Sequence, residues 1–187
     1  GAPGHSNQGG AFVYHGSATG LSATVAWSVL GGETASNFGA CVALAGDVNG
    51  DGVSEVLVGA PLMNAGGTDR GQVRCYAGVL GTGLSAVALW TANGTQNSAQ
   101  FGFGVAGAGD VNGDGRSDVV VGEPYYDGAT ADRGRIHVFH SNGSTLALNG
   151  TRDGPLSNVQ LGYAVSAAGD MNGDGYGDLL VGVPGYT

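Results

Sequence analysis

One string of residues comes back three times in this chain, and it limits the possible folds more than any other feature. Gly46-Asp47-Val48-Asn49-Gly50-Asp51-Gly52 recurs as Gly109-Asp110-Val111-Asn112-Gly113-Asp114-Gly115 and as Gly169-Asp170-Met171-Asn172-Gly173-Asp174-Gly175, displaced by 63 and then by 60 residues. Ahead of each copy stands a large apolar residue followed by Gly, in Phe38-Gly39, Phe101-Gly102 and Leu161-Gly162. Behind each runs an apolar stretch that ends in Gly-x-Pro, in Gly59-Ala60-Pro61, Gly122-Glu123-Pro124 and Gly182-Val183-Pro184. A second block, Gly71-Gln72-Val73-Arg74-Cys75-Tyr76, matches Gly134-Arg135-Ile136-His137-Val138-Phe139 and Gly9-Gly10-Ala11-Phe12-Val13-Tyr14. Repetition at a fixed period marks architectures in which one small unit is stacked on copies of itself, and only several units together bury a core.

Within a period the residues read as four short strands. The run 101–108 mixes small and apolar residues, as a crowded inner strand requires, and 118–122 is the Val-rich run of a strand buried on both faces. Residues 134–140 alternate, with Ile136, Val138 and His140 on one side and Arg135, His137 and Phe139 on the other. A fourth, weaker strand is expected at 87–91, 145–148 and 23–29, with turns rich in Gly, Asn and Asp between all of them. Four antiparallel strands in a period of about 60 residues is the plan of a β-propeller blade, lengthened beyond the commoner ~40–50 residues by the acidic loop. The fold class is therefore all-β. The 39 Gly agree, since Gly disfavours long helices, and 42% hydrophobic residues exclude a disordered chain.

Charge narrows the partners. Fifteen acidic residues stand against six basic ones, all Arg, for a formal net charge of −9. That excess repels phosphate backbones and anionic membrane surfaces, so no nucleic acid is expected, and no apolar run approaches the roughly 20 residues a spanning helix needs, so no membrane insertion is expected. The chain begins at Gly1 without Met, as a processed or trimmed N-terminus would. Nine of the acidic residues lie in the three repeated loops, and three bound Ca²⁺ would bring the net charge from −9 to −3.

In the loop that starts at Asp110, oxygen-bearing side chains fall at positions 1, 3, 5 and 9 (Asp110, Asn112, Asp114, Asp118), Gly at position 6 permits the sharp turn, and the carbonyl of Arg116 is available at position 7 while its side chain points away. The corresponding sets are Asp47, Asn49, Asp51, the carbonyl of Val53 and Glu55, and then Asp170, Asn172, Asp174, the carbonyl of Tyr176 and Asp178. Oxygen-only donors on a flexible turn suit Ca²⁺ better than Zn²⁺, and better than Mg²⁺, which keeps several waters. The start of the loop is EF-hand-like, but Val58, Val121 and Val181 stand where a bidentate Glu belongs, and strands rather than helices flank it. Single Asp-Asn-Gly loops are often plain turns; three copies with the same oxygen positions point to three Ca²⁺ sites. Carboxylates crowded in each loop would repel one another without a cation, so folding is expected to be coupled to Ca²⁺.

Taken together, these residues resemble the FG-GAP repeat, named for its Phe-Gly and Gly-Ala-Pro ends and found in the propeller of integrin α subunits and in bacterial integrin-like proteins. Phe38-Gly39 through Gly59-Ala60-Pro61 carries both ends; Leu161, Glu123 and Val183 are modest departures in the later copies. The resemblance implies a propeller, commonly of seven blades, with Ca²⁺ loops between the two inner strands of some blades. It implies a calcium-binding, non-catalytic module at the cell surface or outside the cell, serving adhesion or protein interaction. A lectin-like, carbohydrate-binding propeller is the alternative. Catalysis is disfavoured because the carboxylates are spread over three equivalent loops, whereas an active site is usually one singular constellation.

The repeats divide the chain as 1–58, 59–121 and 122–187, with two outer strands at one end and two inner strands at the other, complementary halves flanking two full blades. Three blades do not comfortably close a ring, so the expectation is a homodimer forming a six-bladed ring, or a fragment of a larger propeller. Cys41 and Cys75, separated by a strand, are too far apart for a disulfide. His5, His15, His137 and His140 form no metal or nucleophile pattern and are expected on strand surfaces. Asp69-Arg70-Gly71 and Asp132-Arg133-Gly134 suggest a paired Asp and Arg at one turn, and Tyr125, Tyr126 and Tyr186 either pack over a blade edge or line a ligand surface.

Overall fold

Turns rich in Gly, Asn and Asp reverse the chain after each short strand, so strands pair mainly with their neighbours in sequence. The computed structural model describes residues 7–186, and among them it has fourteen strands and no helix. The strands are β1 (Gly10–Val13), β2 (Gly16–Ser17), β3 (Gly20–Leu21), β4 (Trp27–Leu30), β5 (Cys41–Gly46), β6 (Glu55–Ala60), β7 (Gln72–Val79), β8 (Gly83–Asn93), β9 (Gly104–Gly109), β10 (Asp118–Glu123), β11 (Arg135–Ser141), β12 (Leu146–Asp153), β13 (Ala164–Gly169) and β14 (Asp178–Gly182). Two antiparallel four-stranded sheets, β5-β6-β7-β8 and β9-β10-β11-β12, are propeller blades. Two-stranded sheets flank them, β1-β4 before and β13-β14 after, and β2-β3 forms a small hairpin between β1 and β4. Among the described residues the sheets do not close into a ring.

The core lies between sheets, face to face. Val119 and Val121 of β10 pack with Leu57, Val73 and Cys75 of the first blade, while Val120 between them turns to the other side, against Leu179 and Val181 of β14. Burial on both faces explains why this strand is an unbroken Val run. Each fully buried Val contributes on the order of 1.5–3 kcal/mol of burial free energy. On the first side, Trp27 of β4 meets Tyr76 of β7 edge-on at 5.1 Å and donates from Nε1 to the Ser85 carbonyl at 3.1 Å, tying the leading half-sheet to the first blade.

The Phe-Gly and Gly-x-Pro ends of the repeat turn out to be the contact between blades. A Cβ on Gly59 would overlap the carbonyl oxygen of Gly102, and one on Gly122 would overlap that of Gly162. The Gly of one blade's Gly-x-Pro thus sits directly on the turn that opens the next blade. Gly102 itself has φ 85° and donates its amide to the Gly122 carbonyl at 3.0 Å, so Phe101-Gly102-Phe103 is an anchoring turn, not the start of the inner strand expected at 101–108. Inner strands are rich in small residues for a related reason: a Cβ on Gly107 would stand 2.6 Å from the Ala45 carbonyl oxygen of the neighbouring inner strand.

Other expectations shift. The fourth strand is not weak; β8 runs eleven residues, far beyond 87–91, and β12 extends to Asp153. The alternation along 134–140 does not separate a wet face from a dry one, because both faces of β11 pack on neighbours and a bulge between Val138 and Phe139 breaks the period. His137 is therefore no surface residue: its Nε2 lies 2.7 Å from Oε2 of buried Glu123, and its ring meets Phe101 edge-on at 5.0 Å. His15 is exposed, His140 is half-buried, and His5 lies outside the described residues. Asp69 and Asp132 do not pair with the Arg that follows. They hold left-handed backbone, φ 45° and 46°, while Arg70 donates to Asn97 and Arg133 to the Gly154 carbonyl. Tyr125 packs edge-on against Phe103 at 6.1 Å and Tyr126 lies under the Arg135 guanidinium at 3.7 Å, whereas Tyr186 is exposed. Cys41 and Cys75 are free on β5 and β7 with β6 between them, and burial pushes the Cys75 thiol up to about 12.

Candidate metal centre

Each acidic loop connects the two inner strands of its sheet: β5 to β6, β9 to β10, β13 to β14. The same hydrogen bonds curl all three. Oδ1 of Asp47 accepts the amides of Gly50 and Asp51 at 2.7 and 3.1 Å, and Oδ2 accepts that of Gly52 at 2.8 Å. Asp110 does this with Gly113, Asp114 and Gly115, and Asp170 with Gly173, Asp174 and Gly175. The position-3 Asn accepts the position-5 amide, at 2.8 Å for Asn49 and 2.9 Å for both Asn112 and Asn172. Its Nδ2 donates back to the position-5 carboxylate, Asp51, Asp114 or Asp174, whose other oxygen accepts the amide of Val53, Arg116 or Tyr176. At positions 1, 3 and 5 of each loop the side chain is thus held by these bonds and keeps at least one oxygen with an unused lone pair. The carbonyls of Val53, Arg116 and Tyr176 accept none of the loop and turn hydrogen bonds among the described residues.

Position 9 is held differently. Glu55, Asp118 and Asp178 each accept the amide of loop position 2, from Val48, Val111 and Met171, at 2.8, 3.0 and 2.7 Å. Glu55 and Asp118 are buried, and their second oxygens accept Gly78 and Ser141 amides from the third strand of their own blade. This carboxylate clasps loop to blade. In the first loop it also meets Asn49 Nδ2, at 3.2 Å, so positions 3, 5 and 9 converge there. Among the described residues, no three His, Cys, Asp or Glu side chains are gathered as a ready-made cage. The donors that the loops bring together are two Asp, one Asn and a main-chain carbonyl, an oxygen-only set that fits a hard cation such as Ca²⁺.

The loops also form a series. The position-8 amide of one donates to the position-1 carbonyl of the loop before it, Ser117 to Asp47 at 3.1 Å and Gly177 to Asp110 at 2.7 Å. Ser141 Oγ adds a bond to the Val48 carbonyl. These links join residues far apart in sequence, and no sequence signal marks them. The Arg116 side chain does point away from its own loop; its guanidinium lies beside Gly50 of the first loop and Gly143, with Nε buried and unpaired.

Electrostatics separate the two kinds of carboxylate. Burial raises Glu55 and Asp118 above the ordinary carboxylate range, against the opposing pull of their amide donors. Asp110 is lowered: slight burial opposes ionisation, but the Gly115, Gly113 and Asp114 amides outweigh it, and in Asp170 the Gly175 amide leads the same effect. For Glu55 and Asp118 the native state holds protons that the unfolded chain has released, so stability falls as pH rises through their raised values. Cation binding requires ionised carboxylates and works in the opposite direction. Without divalent cations the protein is therefore expected to lose melting temperature as pH rises from the ordinary carboxylate range, and a cation held by ionised loop carboxylates would act in the opposite direction; calorimetry over a pH series in EDTA and in excess Ca²⁺ checks it.

Sequence comparison agrees with this architecture. Residues 38–74, 101–139 and 161–187 match the family described as FG-GAP repeat, each segment spanning an acidic loop and its flanking strands. The chain is 34% identical over 165 residues to integrin alpha-IIb of Mus musculus, covering 84% of this chain and 16% of that protein. It is 35% identical over 163 residues to integrin alpha-IIb of Homo sapiens, covering 83% and 15%, and 32% identical over 173 residues to integrin alpha-PS2 of Drosophila melanogaster, covering 83% and 12%. The chain thus spans about one-sixth of the length of the curated relatives it matches.

Proposed function

The chain belongs to the FG-GAP repeat family, and from that premise we propose that it is a calcium-binding, non-catalytic propeller module that acts outside the cell or at its surface as a scaffold for adhesion or protein interaction. The repeats 1–58, 59–121 and 122–187 each supply one Ca²⁺ loop. The supporting observation is the recurrence in all three loops of one hydrogen-bond network that holds the side chains of positions 1, 3 and 5 and leaves each with an unused oxygen lone pair. Bound Ca²⁺ would supply the positive charge that lets these carboxylates stay ionised side by side. Asp47, Asn49, Asp51, the Val53 carbonyl and Glu55 would hold the first ion; Asp110, Asn112, Asp114, the Arg116 carbonyl and Asp118 the second; Asp170, Asn172, Asp174, the Tyr176 carbonyl and Asp178 the third. Glu55, Asp118 and Asp178 fix each loop to its sheet and complete its negative field. Millimolar extracellular Ca²⁺ suits sites of this ligand set, and relatives named as integrin α chains support the adhesion reading.

Asp114→Ala tests the metal. An ion present at 100 times its dissociation constant adds about 2.7 kcal/mol of stability, which for a chain of this size is on the order of 5–10 °C in melting temperature. The variant is expected to lose a shift of that size in Ca²⁺ and almost none in EDTA. Equal losses under both conditions would sink the Ca²⁺ site, and glycan-array binding abolished by chelation would redirect the function towards carbohydrate.

A further inference from the structure

We propose that the first two acidic loops are a coupled pair of sites and that Ser141 is the residue that couples them, so that an ion held in one loop tightens the other. The inference rests on the calcium reading given above and concerns how two of its sites act on each other.

A continuous line of hydrogen bonds runs from one loop to the other between the first two blades. It begins at Glu55, the position-9 carboxylate of the first loop, whose Oε2 accepts the Val48 amide at 2.8 Å. The carbonyl of Val48 accepts the hydroxyl of Ser141, and the amide of Ser141 donates to Oδ1 of Asp118 at 2.9 Å. Asp118 is the position-9 carboxylate of the second loop, and its Oδ2 accepts the Val111 amide at 3.0 Å. Glu55, Val48, Ser141 and Asp118 are all buried. Away from water each bond is stronger than its counterpart at the surface, and losing one member leaves the next unsatisfied.

The hydroxyl is not needed for the clasp itself. Gly78 stands at the Ser141 position of the first blade, and its amide alone reaches Glu55, at 3.3 Å. What Ser141 adds is the link across to Val48. Its geometry is fixed, because Oγ accepts the Gly143 amide at 3.0 Å and points its one proton at the Val48 carbonyl. The second loop holds the first at neighbouring points as well. The Ser117 amide donates to the Asp47 carbonyl at 3.1 Å, the Ser117 side chain fills the space where a Cβ on Gly46 would stand, and the Arg116 guanidinium lies beside Gly50. Positions 7 and 8 of the second loop thus rest on positions 4 and 1 of the first, and position 9 reaches position 2 through Ser141.

Gly50, Asp51 and Gly52 are exposed, as are Gly113, Asp114 and Gly115, so either loop opens at little cost in buried contacts. With an ion bound in the second loop, the Arg116 carbonyl and the Asp118 carboxylate are fixed, and these lie at the points that hold the first loop. Part of the ordering of the first loop is then complete before its own ion arrives, and binding there is tighter. Two cations, with Arg116 beside Gly50 as a third, repel one another. They act across exposed loops where water and salt screen them, whereas the hydrogen-bonded line is buried, so the net coupling is positive.

The test reads each loop separately: Ca²⁺ is titrated into the isotope-labelled, chelator-treated and desalted chain, with NMR following the amides of Gly50 and Gly52 for the first loop and of Gly113 and Gly115 for the second. Asp114→Ala is expected to weaken Ca²⁺ at the first loop about tenfold, and Asp51→Ala to weaken it at the second by the same factor, because coupling is reciprocal. In a Ser141→Ala background the effect of Asp114→Ala on the first loop should shrink to about threefold or less, the remainder passing through the Ser117 amide. A merely structural Ser141 would lower affinity without changing that dependence. The reciprocal measurement keeps Ser141 intact, so it decides the coupling even where Ser141→Ala does not fold. First-loop binding indifferent to Asp114→Ala, or unequal factors in the two directions, would overturn the coupling and leave the calcium sites in place. An effect of Asp114→Ala that is the same in both backgrounds would overturn the role of Ser141. Amides in the unaltered chain that do not respond to Ca²⁺ at all would overturn the calcium reading and the coupling with it.

Discussion

Replacing Gly122 with Ala is expected to lower the melting temperature by on the order of 10 °C. The added Cβ would overlap the backbone carbonyl of Gly162. Neither partner can yield cheaply: Gly122 is in the buried middle sheet, paired to Gly104 on one side and Ile136 on the other, and Gly162 is fixed by its own bond to the Gly182 carbonyl. Relief requires moving one sheet away from the next and loosening the core of Ala106, Val120 and Ile136 between them. Overpacking typically costs ~1–3 kcal/mol, and a clash between two backbones falls at the upper end. At ~2–4 °C per kcal/mol for a chain of this length, the shift follows. Gly150→Ala is the control. It is also a strand Gly without left-handed φ, but the nearest atom to its added Cβ is the Arg152 side chain at 3.9 Å, so that variant should be neutral or slightly stabilised. Similar losses for both would mean that Gly122 serves conformation and not contact between blades.

The second large effect is expected at His137. Its Nε2 is the partner of Glu123 Oε2 at 2.7 Å; the Glu123 side chain is 1% exposed and its other oxygen already lacks a partner. His137→Leu leaves that buried carboxyl group with no hydrogen bond at all, at a cost of about 3–5 kcal/mol. Restoring the first blade's choice of a small apolar residue, with Glu123→Ala added to His137→Leu, should recover much of the loss, because removing both partners leaves nothing unpaired. A double-mutant cycle by chemical denaturation measures the coupling, expected in the range of ~1–3 kcal/mol. Additive single effects would show that the two residues matter separately.

The contrast between Gly122 and His137 shows where the sequence was informative. Loops, strands and blade plan were legible because they are written in short-range patterns: Asp, Asn and Gly at fixed offsets, Val runs and Gly-x-Pro turns. Contacts between blades were not. The roles of Gly59 and Gly122 depend on carbonyls in the following repeat, and the loop-to-loop bond from Ser117 to Asp47 crosses a whole period. His137, expected on a strand surface for want of any metal or nucleophile pattern, instead meets Glu123 and Phe101, and nothing in its own strand marks those partners. Glu123, visible as a departure from Gly-Ala-Pro, was the available clue that a partner was needed nearby. The role of Glu55 and Asp118 as buried clasps was hidden for a similar reason: the third-strand amides that hold them come from a separate part of the chain.

Three equivalent acidic loops, each proposed to take one calcium ion, are the centre of this account, and calorimetric titration of the EDTA-treated protein with Ca²⁺ tests it most directly. The expected isotherm saturates at three ions per chain, and at two in Asp114→Ala. A titration with no binding at millimolar Ca²⁺, or one whose stoichiometry is the same in the variant as in the unaltered chain, would contradict it.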